Sequence, residues 1–329
     1  MPYLIQARCI AYYRLLGGTM RKTRISLFFF LLASVNTAFP QTENITKQFN
    51  DAYRSFQSLN EEGKPEESLE FAKKALDLAQ PLFDENSETM AALSYNYALN
   101  LMDVDQNKES AREFSKTVRI YEQVFGRDSE SLASVYFDEG RASSRINRGK
   151  PAGSANSRVN SQKSKRAFEK AINIIGEIYG SSSLNFADIN IQAGIILSEE
   201  FNLGTAEDFF EKALNIYETE FGRDNLYTAL ANFHLGKYHF MNANVRKSEN
   251  FLADAITGLE SLEFKDDIDQ VLLTSAHGLF DRLNEVKFVR EEYIREIEEN
   301  SRELARSMEA MRNNPTPSRP PQQAAQQAQ

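Results

Sequence analysis

Apolar residues recur at three- and four-residue spacings along most of the chain, and no alternating Val/Thr-rich run interrupts them. The pattern predicts an all-α protein. Its breaks place first helices near 47–60, 87–105, 129–147, 184–202, 225–243 and 267–284, and second helices near 65–83, 107–125, 162–179, 204–221 and 245–262. A charged helix is expected over 287–312, with Ile294, Ile297, Leu304, Met308 and Met311 forming one apolar stripe for docking. The Pro/Gln/Ala tail, 313–329, has too little apolar bulk to fold.

The helices come in pairs of fixed length. "YEQVFGRD" at 121–128 returns as "YETEFGRD" at 217–224, 96 residues on. Ala75, Thr117, Ala171, Ala213 and Ala255, spaced 42, 54, 42 and 42, extend that register, and the 12 surplus residues fall in the polar stretch Asn147–Gln162. Its Gly and Pro mark it as an inserted loop, near 147–162.

Other offsets hold the same register. Three residues before those positions stand Ala72, Phe114, Phe168, Phe210 and Leu252, and seven before stand Ser68, Ser110, Ser164, Ala206 and Ser248. Twenty-three after stand Ala98, Gly140, Gly194, Gly236 and Gly278. Small residues recurring on helices imply close approach of a neighbour, because a helical glycine otherwise costs roughly 1 kcal/mol against alanine. The repeated octapeptide reads as punctuation. Tyr121 and Tyr217 are expected to pack on the following helix, Gly126 and Gly222 to end a helix, and Asp128 and Asp224 to cap the next.

The order Leu235-Gly236, Ser248, Leu252, Ala255, and likewise Ala193-Gly194, Ala206, Phe210, Ala213, resembles the tetratricopeptide repeat. The 42-residue period, with "FG" and Asp closing the second helix, resembles the longer variant of kinesin light chains and many bacterial proteins. The resemblance implies a right-handed α-solenoid of about five helix pairs plus capping helices, spanning 39–286. Three features depart from the family pattern: the aromatic that opens the repeat stands only at Tyr136, longer helices replace the usual closing proline, as in the long variant, and Phe56 takes the small-residue place in the first repeat.

The start of the chain is of another kind. Met20-Arg21-Lys22-Thr23-Arg24 is basic, Ile25–Val35 is largely apolar, and Asn36-Thr37-Ala38 ends in a small residue. This is the layout of a secretory signal peptide over 20–38, with 1–19 an upstream extension, and the apolar run is too short for a membrane span. The expected location is periplasmic or otherwise extracytoplasmic, with cleavage near Ala38. The full chain has a formal charge of −9; loss of the first 38 residues would leave 33 basic against 47 acidic side chains, or −14, and remove Cys9, the only cysteine. Disulfide, thiolate and cysteine-metal chemistry are thereby excluded from the cleaved chain. An acidic surface also disfavours nucleic acid and anionic membrane as partners.

No nucleophile triad, P-loop or dinucleotide fingerprint occurs, and His234 and His239, five apart, do not share a helix face as metal ligands would. Neither catalysis nor a cofactor is expected. What remains is a surface, since first helices of a helix-pair solenoid line its concave face. By analogy with tetratricopeptide proteins, Asn96, Asp138, Gln192 and His234 form a polar ladder for a peptide backbone. Tyr95, Phe137 and Phe233 are the apolar contacts, and Arg141 and Lys237 the charge selectors. The expected role is an extracytoplasmic scaffold that holds a peptide segment or protein partner. The alternative is a carrier or sensor of a small hydrophobic or peptide ligand inside the superhelix.

Overall fold

The central helix pairs begin and end on residues at fixed register, and these set the architecture. The computed structural model describes residues 40–147, 155–199, 206–262 and 267–313. The expectations for 1–19, for the signal segment 20–38, for 148–154 and for the tail from 314 lie outside the described residues. Among these, eleven helices and no strand are present. They are α1 (Pro40–Glu61), α2 (Pro65–Ala79), α3 (Glu88–Asp103), α4 (Asn107–Phe125), α5 (Glu130–Arg145) and α6 (Ala155–Tyr179), then α7 (Leu184–Ser198), α8 (Glu207–Phe221), α9 (Leu226–Met241), α10 (Val245–Glu260) and α11 (Asp267–Asn313).

Four of the first helices start on an equivalent residue. Ser87, Ser129 and Ser183 each accept, through Oγ, the N–H of the residue three further on, and Asn225 accepts that of Tyr227 through Oδ1. Each bond satisfies a backbone donor that the first turn leaves without a partner. The caps are thus Ser129 and Asn225 rather than Asp128 and Asp224, one residue later than the charge pattern suggested. Gly126 and Gly222 do end helices, at φ +83° and +78° with ψ near 180°. That is glycine-only backbone, more restrictive than the left-handed helical stop expected. Gly180 closes α6 at the same register with φ +90°.

Within each pair the register packs one helix against the other. Phe114, Phe168, Phe210 and Leu252 are fully buried, and each such side chain contributes roughly 1.5–3 kcal/mol. Three of them lie against the small residue of their partner helix: a Cβ on Gly140, Gly194 or Gly236 would stand 2.7–2.8 Å from Phe168, Phe210 or Leu252. Gly278, at the same register on α11, has nothing within 4 Å. The register serines also form hydrogen bonds. Ser110, Ser164 and Ser248 donate to the carbonyls of Ala98, Gly140 and Gly236 at 2.7–2.9 Å.

Two elements differ from the expected pattern. Helix α6 begins at Ala155, inside the stretch read as a loop. Asn147 fastens its first turns by donating to the Ser157 carbonyl and Ser161 Oγ, while Asn160 donates back to Asn147 Oδ1. The segments 267–284 and 287–312 are one continuous 47-residue helix, α11. No Gly or Pro stands between Leu283 and Arg290 to break it. Its apolar stripe does not dock among the described residues: Ile294 and Ile297 are 45% and 47% exposed. The side chains of Leu304, Met308 and Met311 are not among those described.

The pairs stack unevenly. Helix α3 touches α5, α5 touches α7, α7 touches α9 and α9 touches α11, whereas no two of the second helices α2, α4, α6, α8 and α10 come within 8 Å, Cα to Cα, among the described residues. First helices crowd together and second helices splay, so the array curves with its first helices inside. Helix α1 lies outside this row and packs on α2.

Candidate functional site

The inner row of α3, α5, α7 and α9 carries all nine candidate residues. Their surroundings divide them. Tyr95 on α3 donates its hydroxyl to Asp138 Oδ2 on α5, and Asp138 Oδ1 accepts from Arg141 Nη1 one turn on. Asp138 is only 6% exposed, so this rung of the ladder already serves as a clamp between adjacent repeats. The Tyr95 ring lies 5.9 Å from both Phe114 and Tyr121. Burial, and then the nearby Asp138 carboxylate, push the Tyr121 phenol well above its ordinary pKa.

The other apolar candidates are also engaged. Phe137 meets Phe168 with ring centroids 4.9 Å apart, and Phe233 is buried. His234 stacks on Phe210 at 5.6 Å and meets Phe233 edge-on at 5.3 Å. Although part of its surface reaches solvent, desolvation, aided by the neighbouring Lys237 charge, lowers its pKa to about 3. The imidazole is therefore neutral at physiological pH. That leaves Asn96, Gln192 and Lys237, all partly exposed, whose side chains have no hydrogen-bond or ion-pair partner among the described residues. Two amides and an ammonium offer donors and acceptors to a peptide backbone and a positive charge to a carboxylate. They make no reactive group.

The row also contains contacts that residue pattern alone did not reveal. Tyr217 donates to Asp188 Oδ1 on α7 at 2.6 Å, and burial, with that carboxylate second, raises its phenol. Tyr217 packs on the following helix as expected, its ring 5.5 Å from Tyr227 on α9, whereas the closest ring to Tyr121 outside its own helix is Tyr95 on the preceding one. His239 is fully buried, stacked on Phe251, with Glu207 Oε1 at 3.4 Å from its Nε2. Among the described residues no group of three or more His, Cys, Asp or Glu is placed to hold a metal, and no helix is long and apolar enough to cross a membrane.

No protein-family model matches the chain, and no curated protein does. Solved structures do. A putative kinesin light chain of Podosopora anserina, with nearly identical TPR-like repeats, superposes with a TM-score of 0.52 over 69% of this chain and 100% of its own, at 11% identity. A variant of that protein gives 0.50 over 67% of this chain and 96% of its own, at 12% identity. The chain has the fold of a TPR-like helix-pair solenoid, the architecture that the resemblance to the tetratricopeptide repeat implied.

Proposed function

We propose that the protein is an extracytoplasmic interaction scaffold that holds a peptide segment or protein partner along the inner face of its first helices. The observation that carries this reading is the row of Asn96, Gln192 and Lys237, partly exposed and unpartnered among the described residues, beside rungs already consumed by packing. Extended backbone offers alternate donors and acceptors, which spaced amides meet at little entropic cost when helices hold them apart. The extracytoplasmic placement rests on the basic, apolar and small-residue layout of 20–38.

A photo-crosslinking residue at Gln192 in the tagged full chain, expressed in its own host, tests the inner face. The expected result is a discrete adduct that disappears in the Asn96→Ala/Lys237→Ala variant. An adduct indifferent to that change, or none, overturns the reading. The N-terminus of the exported protein is expected near Phe39, and a retained Met20 start would overturn the placement.

The carrier reading is the weaker one, because Phe137 and Phe233 are spent on Phe168 and the core. Native mass spectrometry of the purified chain separates the two, since a carrier would retain a bound small molecule.

A further inference from the structure

The splay of the second helices opens a cavity on the side opposite the first-helix face. It has a volume of about 600 Å³ and lies between α4 and α6, over α5. Its walls are basic. Lys108 and Arg112 line it from α4, and Lys163, Arg166 and Lys170 from α6, while Glu139 on α5 is the one acid among the lining residues. Glu139 is itself engaged, accepting from Ser115 Oγ at 2.6 Å. Lys170 sits over the Tyr136 ring, 4.6 Å from its centroid. Lys108, Arg112, Lys163 and Arg166 are exposed and have no carboxylate partner among the described residues. In a chain of net charge −9, five cations around one engaged acid is a local reversal of sign.

The reversal coincides with the break in the repeat. Helix α6 starts 16 residues before its register position Ala171, whereas α4 and α10 start 10 before Thr117 and Ala255. The extra turns supply Asn156, Val159 and Asn160 to the cavity wall. The buried Asn147 holds those turns in place through Ser157, Ser161 and Asn160. The wall is thus fastened in advance, without which a ligand would have to order it on binding.

We propose that this cavity is a second binding site, for an acidic peptide segment of a partner protein, built by the insertion in the third repeat. The volume falls within the range of about 300–1,000 Å³ usual for ligand sites. Lys163 and Lys170 are seven residues apart, about 10 Å along a helix, so the charge is spread too far for one phosphate and suits several carboxylates in a row. An extended nucleic acid meets the acidic remainder of the surface, which repels it. The site shares no residue with the first-helix face and stands or falls independently of it.

Fluorescence anisotropy of a labelled octaglutamate peptide with the full chain tests the assignment. Binding is expected to weaken with added salt and by about tenfold or more in Arg112→Glu/Lys163→Glu. It is expected to persist in Asn96→Ala/Lys237→Ala, the inner-face variant. Circular dichroism checks that the reversal variant folds, and Arg112→Gln/Lys163→Gln, expected to weaken binding in the same direction, stands in if it does not. No binding by the unaltered chain, equal binding by the cavity variants, or loss in the inner-face variant overturns the proposal. So does binding of pyrophosphate or a single-stranded oligothymidylate as tightly as octaglutamate.

Discussion

Phe168 lies directly beneath Gly140, so close that a Cβ on the glycine would stand 2.8 Å from its ring. The ring is fully buried and is met by Phe137, with centroids 4.9 Å apart. Ser164, four residues before Phe168, closes the same junction by donating to the Gly140 carbonyl at 2.9 Å. One residue without a side chain thus admits an aromatic ring and a hydrogen bond from the facing helix.

Substitution by alanine separates this role from helix propensity. Alanine favours a helix over glycine by about 1 kcal/mol, while overpacking a filled core costs about 1–3 kcal/mol. Gly140→Ala and Gly194→Ala are expected to lower stability by up to about 2 kcal/mol net. At Gly278, where nothing lies within 4 Å, the same change is expected to raise it by up to about 1 kcal/mol. Urea titration of the three variants checks the opposite signs; stabilisation at Gly140 would show that the two helices do not approach as described.

The close packing was legible in the sequence because Gly140, Gly194 and Gly236 share a register with a large residue on the facing helix. What the serines of that register do was not legible. Ser and Ala are equally small, and the hydroxyl gains a purpose only once the Gly140 or Gly236 carbonyl is known to face it. Asp138 misled for a related reason: a polar residue beside the core reads as a solvent-facing rung, and only the spacing of α3 from α5 shows that Tyr95 reaches it. The continuity of α11 was hidden by the repeat itself, since pairing implied a turn where the residues 283–290 contain no breaker. The splay of the second helices is a property of the whole stack, and no local pattern encodes it.

His234 makes stability depend on pH. Its pKa is about 3 in the folded chain against 6.5 for the ordinary group, chiefly from desolvation among Phe210 and Phe233. Below 6.5 the unfolded chain takes up a proton that the folded chain refuses, so stability falls as pH drops from about 6.5 towards 3 and is insensitive to this group above 6.5. The slope approaches about 1.4 kcal/mol per pH unit for one such group. His239, also lowered by desolvation though partly offset by Glu207, adds in the same direction. Between pH 6.5 and 5, above most carboxylate titrations, His234→Gln is expected to lose stability less steeply than the unaltered chain. Parallel unfolding curves would remove the histidine from the account.

Helix α11 changes character along its length. Leu272, Ala276 and Leu283 are buried, and Lys287 pairs with Glu249 of α10 at 2.8 Å, but every residue from Phe288 to Glu303 is exposed. An isolated helical segment without tertiary contacts is marginal in water. Amide hydrogen exchange is therefore expected to show protection up to about Lys287 and rapid exchange beyond. Uniform protection through Glu303 would mean that the apolar side chains of Phe288, Val289 and Tyr293 are covered in solution.

The two copies of the octapeptide offer a discriminating test of what ends one pair and begins the next. Ser129 Oγ accepts the Leu132 N–H at 3.3 Å and Asn225 Oδ1 accepts that of Tyr227 at 2.9 Å, whereas Asp128 and Asp224 are exposed and bond to nothing among the described residues. Loss of a helix cap typically costs about 1 kcal/mol. Removing an exposed acid just ahead of a helix costs a few tenths of a kcal/mol through the helix dipole, and salt screens it. Ser129→Ala and Asn225→Ala are expected to lower the melting temperature measurably, and Asp128→Ala and Asp224→Ala to leave it nearly unchanged at high salt. The reverse order would return the capping role to the aspartates, and with it a starting point for α5 and α9 one residue earlier.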